Sequence, residues 1–247
     1  MDQDDYALGV LQWHLSQAGL ADLNGQICLE LGPGDAVSSA LVAHALGAER
    51  CYLIDVGAFA DQDMDLYRGQ ARALEEAGYS VPDVASCADL QALLNRVNGV
   101  YLTEGLASLR SIGTDSIDFA WSQAVLEHVR LAQFDQTLTE LHRALRPSAM
   151  ASHRVDLQDH LAGSLHNLRF RRATWERDWF AASGFYTNRI RYADMVDRFK
   201  AAGFRVEVTG VDRWPRPPLA KQKMDREFAA LSDDELRISG FDVVLRA

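Results

Sequence analysis

The feature that most constrains this chain is the short apolar run Gln26-Ile-Cys-Leu-Glu-Leu31, which stops at Gly32-Pro-Gly34 and leads into small and apolar residues from Val37 to Leu46. A strand that ends in glycines and turns into a helix lets bare backbone approach a ligand at the positive end of that helix. Two glycines can also make nothing more than a turn, so the surroundings have to decide. A dinucleotide fingerprint would place glycine at position 37, where Val37 stands. Without it the helix does not seat tightly beneath a pyrophosphate, which disfavours NAD and FAD. A second apolar run, Arg50-Cys-Tyr-Leu-Ile-Asp-Val56, puts Asp55 about 20 residues past the loop, where a carboxylate can accept both hydroxyls of a ribose. A helix N-cap or turn role for Asp55 is the plain alternative. Loop and carboxylate together read as a nucleoside site that avoids pyrophosphate.

The rest of the chain repeats the strand and helix rhythm. Helices are expected over Asp4 to Ala18, Met64 to Glu76, Cys87 to Arg96 and Phe134 to Leu145, the last halted by Pro147. In the first, Tyr6, Val10, Trp13 and Gln17 form one stripe with Leu11 and Leu15 close by. Further strands are expected at Val100 to Thr103, Ser116 to Trp121 and Met150 to Val155. Near-continuous apolar strands alternating with helices indicate a parallel sheet covered on both faces. The tail departs from this: Phe204-Arg-Val-Glu-Val-Thr209 alternates strictly, and Gly240 to Arg246 closes the chain as another strand. Without crossover helices of normal length, these two suit an antiparallel pair at the sheet edge. The expectation is one α/β domain over 1–247, with a covering helix at 4–18 and a lid-like helical insertion at about 160–194.

At 247 residues the chain can bury a full core without staples. Its net charge of −10 makes nucleic acid and anionic membrane poor partners and points to a small molecule or another protein; a homodimer is left open. Cys28, Cys51 and Cys87 cannot all pair and form no C-x-x-C, so they read as reduced thiols of a cytoplasmic protein. The opening Met1-Asp-Gln-Asp-Asp5 is acidic where a signal or transit peptide is basic, and no long apolar run suits a bilayer.

Cys28-Leu-Glu-Leu-Gly-Pro-Gly34 resembles motif I of the class I S-adenosylmethionine-dependent methyltransferases. Ser116-Ile-Asp-Phe-Ala-Trp-Ser-Gln-Ala-Val-Leu-Glu-His-Val129 is similar to their fourth strand and the loop after it, and Leu141 to Ser148 to the helix and turn before strand five. Tyr192 to Phe204 is similar to the helix before the late strands, and Gly184-Phe-Tyr-Thr-Asn-Arg189 to type 11-like members of natural-product or polysaccharide pathways. The resemblance spans residues 25 to 247, with its motifs in order. It implies a Rossmann-like, seven-stranded, mostly parallel sheet with the last strand antiparallel and helices on both faces, and S-adenosyl-L-methionine as cofactor. It further implies that Glu30, Gly32 and Gly34 line the methionine part, Asp55 holds the ribose and Val56 packs beside the adenine. Ser122 and Gln123 would face the sulfonium end, and Glu104 is the nearest candidate for the adenine amine. Ala36 stands where many members have a third glycine, a departure that a cofactor without phosphates tolerates.

Methyl transfer to a hydroxyl benefits from a base beside it. The run His153-Arg-Val-Asp-Leu-Gln-Asp-His160 ends a buried strand at the ligand edge of the sheet. His153, Asp156 and His160 are catalytic candidates there, with His128 from the loop after strand four. Against this, His128 can be structural and His153 a satisfied core histidine. A divalent ion on Asp156, Asp159 and His160 is an alternative that the spacing does not compel; no metal is expected. The insertion Ser164 to Phe180 is rich in arginine and aromatic residues, suiting a lid in which Arg169, Arg171 or Arg172 pairs an anionic group and Trp175 or Trp179 stacks on a ring. An amphipathic helix with solvated arginines is the plainer reading of any one of them. Asp159, Arg169, Tyr186, Asn188 and Arg189 are the acceptor contacts expected, and Trp214-Pro-Arg-Pro-Pro218 is a rigid loop.

The resulting expectation is S-adenosylmethionine-dependent methyl transfer to a small polar acceptor, a hydroxyl of a sugar or glycosylated metabolite. An N- or C-methyltransferase on the same fold is one alternative. A retired scaffold is another, and intact Glu30, Gly32, Gly34 and Asp55 argue against it, since a scaffold needs none of them.

Overall fold

The computed structural model describes residues 3–247; Met1 and Asp2 of the acidic opening lie outside the described residues. In chain order come α1 (Gln3–Ala18), β1 (Ile27–Leu31), α2 (Ser38–Ala45), β2 (Arg50–Ile54), α3 (Met64–Glu76), α4 (Leu90–Arg96), β3 (Gly99–Leu102), α5 (Leu106–Ser111) and β4 (Ile117–Gln123). After them follow α6 (Leu131–Ala144), β5 (Leu145–Asp156), α7 (Arg172–Trp175), α8 (Asp178–Ala181), α9 (Tyr192–Ala201), β6 (Arg205–Arg213), α10 (Arg226–Ala229), α11 (Asp233–Leu236) and β7 (Ile238–Arg246).

The seven strands form one sheet in the order β3-β2-β1-β4-β5-β7-β6. β1 lies parallel between β2 and β4, with Cys28 opposite Cys51 on one side and Phe119 on the other. Parallel strands hydrogen-bonded on both edges and covered on both faces read as near-continuous apolar runs, which is why β1 is Ile-Cys-Leu-Glu-Leu, with Glu30 its one polar residue. β7 runs against β5: the Ala247 N–H donates to Ala149 O at one end, and the Leu157 N–H donates to Ser239 O at the other. The rising numbers of one strand meet the falling numbers of the next, the mark of an antiparallel pair. The sheet is therefore mostly parallel with its last strands antiparallel, as the alternation of the tail leads one to expect.

The chain divides into two compact units. One comprises residues 1–123, 140–152 and 246–247, the other residues 124–139 and 153–245. The first has a core of aliphatic side chains on α1, α2, α3 and α4 packed on the sheet, with Tyr67, Phe119 and Trp121 fully buried. The second holds one cluster of Leu165, Leu168, Leu219, Met224, Phe228 and Leu236, and another of Trp175, Phe180 and Tyr186.

Three local expectations differ from what forms. The inner face of α1 is Leu11, His14, Leu15 and Ala18, while Tyr6 is exposed; the stripe through Tyr6, Val10, Trp13 and Gln17 flanks the buried one. α6 starts a turn early and stops at Ala144, and Pro147 falls in the exposed first stretch of β5, where a strand tolerates proline. The insertion holds only short turns at Arg172–Trp175 and Asp178–Ala181, and its aromatic cluster takes Trp175 from the first, Phe180 from the second and Tyr186 from the loop after them, so no single long helix face builds it.

Candidate active site

In the first unit, Gly32 and Gly34 both take positive φ, +68° and +73°, a conformation that costs glycine nothing. The Gly32 N–H donates to Ile54 O at 2.8 Å, tying the loop to the tip of β2. The Asp55 carboxylate then accepts from two backbone N–H groups, Gly34 at 3.1 Å and Val56 at 2.7 Å. Burial pushes its pKa up, and those two bonds oppose the shift. A side-chain carbon added at Gly34 would meet nothing within 4 Å, so space stands open over the loop. Val56 is 77% exposed and Phe59 57%, two bare apolar groups just beyond the carboxylate. The Gly105 N–H donates to Asp55 O at 2.7 Å, which brings the exposed Glu104 to the same strand tip.

Glu30 faces inward. Its carboxyl accepts from the Trp121 Nε1–H at 2.9 Å and from the Ser39 hydroxyl, and burial pushes its pKa to about 7. It therefore couples β1, α2 and β4 beneath the loop. At the end of β4, Ser122 is fully buried and Gln123 half-buried, with the Gln123 carbonyl oxygen 3.2 Å from Nε2 of His14. His14 is absent from the sequence reading. Its signal is the spacing Leu11, His14, Leu15, Ala18, a second helical stripe beside the one chosen.

In the second unit, His128 places Nδ1 2.8 Å from Tyr186 O, and its ring lies 4.8 Å from that of His160, centroid to centroid. A carbonyl can only accept, so Nδ1 carries the hydrogen and Nε2 keeps a free lone pair. Burial lowers the His128 pKa, and the neighbouring Asp156 pulls weakly the other way. Asp156 is half-buried on the end of β5, and its backbone N–H donates to Glu127 at 3.3 Å. In the sequence Glu127 stands out only as part of the motif after strand four. It is almost wholly buried, its pKa is pushed to about 8, and Asp156 adds to the rise. His153 is fully buried on β5, while Arg154 is committed to Asp242 and Asp212.

The other acceptor candidates of that unit hold the backbone in shape. Asp159 accepts from the N–H groups of Leu161, Ala162 and His166. The Tyr186 hydroxyl donates to Glu176 at 2.8 Å and accepts from the Leu131 N–H at 3.1 Å. Asn188 donates to Leu126 O and Val129 O. Arg189, at φ +61°, donates to Asn167 O and Phe170 O and lies between the rings of Trp175 and Phe228. Arg169 is exposed, Trp175 is buried, and Trp179 stands 66% exposed. Among the described residues, no group of three His, Cys, Asp or Glu is placed to hold a metal ion, and no helix is long and apolar enough to cross a membrane.

Fold and first-unit geometry define an α/β protein that takes a nucleoside through bare backbone, one carboxylate and apolar faces, with no third glycine for phosphates. S-adenosylmethionine fits that donor set: Asp55 would take the ribose hydroxyls, Val56 and Glu104 would stand at the adenine end, and the open space over Gly34 would receive the methionine part. A family model described as a methyltransferase domain matches residues 29–152, half of the chain. The chain belongs to that family and is an S-adenosylmethionine-dependent methyltransferase.

Solved structures share the fold. An S-adenosylmethionine dependent methyltransferase from Mesorhizobium loti is 20% identical, with a TM-score of 0.52, covering 98% of this chain and 100% of that one. A SAM-dependent methyltransferase from Methanosarcina mazei is 18% identical at TM-score 0.55, covering 94% and 96%. Phosphoethanolamine N-methyltransferase 2 of Haemonchus contortus, in complex with S-adenosyl-L-methionine, is 12% identical at TM-score 0.53; 98% of this chain covers 52% of that one. A search of curated proteins finds no match.

Proposed function

We propose that the methyl group goes to a hydroxyl of a small polar acceptor, a sugar or glycosylated metabolite of the kind built in natural-product or polysaccharide pathways, and that the protein acts in the cytoplasm. The observation that carries this reading is the state of His128. Its Nδ1–H is spent on Tyr186 O, its pKa is lowered by burial, and its Nε2 lone pair is left as a base. A hydroxyl has to lose its proton as the new bond to carbon forms, whereas an amine nucleophile is already deprotonated or loses its proton afterwards.

The cofactor, when bound, supplies a methyl group on a positively charged sulfur, and an in-line displacement then needs chiefly alignment. His128 Nε2 takes the hydroxyl proton. The Asp156 carboxylate, close enough to act on that imidazole, stabilises the imidazolium, and His160 flanks the same ring. Asp159, Tyr186, Asn188 and Arg189 shape the wall by fixing loop backbone. The exposed Arg169 is the one acceptor contact of the set with a free approach from solvent.

The test is product analysis by mass and nuclear magnetic resonance after incubation with S-adenosylmethionine and panels of glycosides, amines and phenols. With a hydroxyl acceptor in hand, His128→Ala is expected to cut turnover by roughly a hundredfold or more while cofactor affinity stays unchanged. Full activity in that variant, or methylation of amines alone, would overturn the reading. Since burial lowers the His128 pKa from 6.5, the acid limb of the wild-type turnover should lie below the ordinary histidine range, and it should be lost in His128→Ala.

A further inference from the structure

His14 is fully buried on α1, and its two ring nitrogens reach two strands far away in sequence. Nδ1 is 2.9 Å from the Ser152 hydroxyl on β5, and Nε2 is 3.2 Å from the carbonyl oxygen of Gln123 at the last position of β4. The hydrogens are fixed by the partners. A carboxamide oxygen only accepts, so Nε2 carries the proton, and Ser152 donates its hydroxyl hydrogen to Nδ1. Burial holds the His14 pKa near 4, so the ring is neutral and keeps this one tautomer. Leu11 and Leu15, its neighbours on the same face, are buried without any polar contact to make. An apolar residue would serve packing there equally well. Burying an imidazole and a serine beside a strand end costs free energy unless every group is bonded, and the bonds then fix orientation.

We propose that His14 is a positioning residue for Gln123: it holds the carboxamide with its oxygen turned to α1, so that the NH2 is what the end of β4 presents to the sulfur and methionine part of the cofactor. This rests on the reading that places Gln123 at that end of S-adenosylmethionine. The assignment of ribose and adenine to Asp55, Val56 and Glu104 lies on other strands and is separate from it. α1 thereby contributes to cofactor binding through one hydrogen bond, without touching the cofactor.

Two measurements test this on the full chain. In protein labelled with nitrogen-15, the side-chain amide signals of Gln123 are followed without ligand. Calorimetry then gives affinities for S-adenosylhomocysteine and for adenosine, which lacks the methionine part. His14→Leu should release the Gln123 amide, seen as faster exchange of its NH2 hydrogens. It should weaken S-adenosylhomocysteine about three- to tenfold, the value of one hydrogen bond, and leave adenosine unchanged. His14→Gln, which can donate to Gln123 and accept from Ser152, should restore both properties. Ser152→Ala keeps His14 in place and should give a smaller change in the same direction, so the idea can be tested even if the leucine variant folds poorly. An unmoved Gln123 amide would overturn the proposal. So would equal losses for adenosine and S-adenosylhomocysteine, which would show general loosening. Release of the amide with unchanged S-adenosylhomocysteine affinity would overturn the placement of Gln123 at the cofactor, and the role of His14 with it.

Discussion

At the scale of single residues, Asp55 ties the glycine loop to the tip of β2, and we propose that it holds the ribose. Its two oxygens each accept one backbone N–H, from Gly34 and Val56, and each keeps a second lone pair for a ribose hydroxyl. Asp55→Ala is therefore expected to weaken S-adenosylmethionine by about 1–3 kcal/mol, the cost of leaving buried donors and the ribose without their acceptor, as read by calorimetry. Unchanged affinity would remove the ribose from this place. The same residue shows how much of the site is legible in a sequence. Asp55 and the two glycines stand at a fixed spacing from one strand end, so their neighbourhood is set locally. His14 is 109 residues from Gln123 and 138 from Ser152, and Glu127 is 29 from Asp156. Such pairings exist only once the sheet has ordered its strands, and no periodicity announces them.

Secondary-structure elements were legible where one physical rule governs them. The parallel strands are near-continuously apolar, and β6 alternates because it lies at the sheet edge with one side of its face toward solvent. The insertion obeys no such rule, since its short turns are held by aromatic contacts and by single polar side chains such as Asp159 and Asn188. Two glycines put the elements to the test in opposite directions. Gly9 lies inside α1, is exposed, and a carbon added there meets nothing within 4 Å. Gly9→Ala should stabilise the protein by about 0.5–1 kcal/mol in chemical denaturation, because the unfolded chain loses freedom and the helix loses no contact. Gly240 on β7 is the reverse case: the added carbon would stand 2.9 Å from the backbone oxygen of Val155 on β5. Backbone cannot swing away as a flexible side chain can, so Gly240→Ala should cost roughly 1–3 kcal/mol by pushing the antiparallel strand off its neighbour. A neutral Gly240→Ala would mean that β7 sits less tightly on β5 than described.

For the molecule as a whole, the dependence of stability on pH follows from four buried groups, two in each unit. Glu30 and Glu127 have folded pKa values pushed to about 7 and about 8 from an ordinary 4.5, both chiefly by burial. The folded protein thus holds protons that the unfolded chain gives up at 4.5. The stability they contribute is complete below 4.5 and is lost as pH rises through about 7 and then 8. His14 and His128 act on the other side, since burial lowers their pKa from 6.5, to about 4 for His14. Below 6.5 the unfolded chain takes up protons that the folded one refuses, so stability falls on acidification toward 4. Between 4.5 and 6.5 the two trends oppose each other, so stability is greatest within that window; above it stability falls through about 7 and 8 and then levels off, each group worth up to roughly 1.4 kcal/mol per pH unit across its own range. Thermal unfolding from pH 5 to 9 should show that decline and its levelling. Glu30→Gln and Glu127→Gln, which keep the shape of the neutral carboxyl and remove its charge, should abolish the fall above 6.5 and leave the histidine-driven fall on acidification below 6.5 unopposed. A melting temperature that holds or rises between pH 7 and 9 in the wild-type protein would mean that both carboxyls ionise at little cost, and that water reaches them in the folded state.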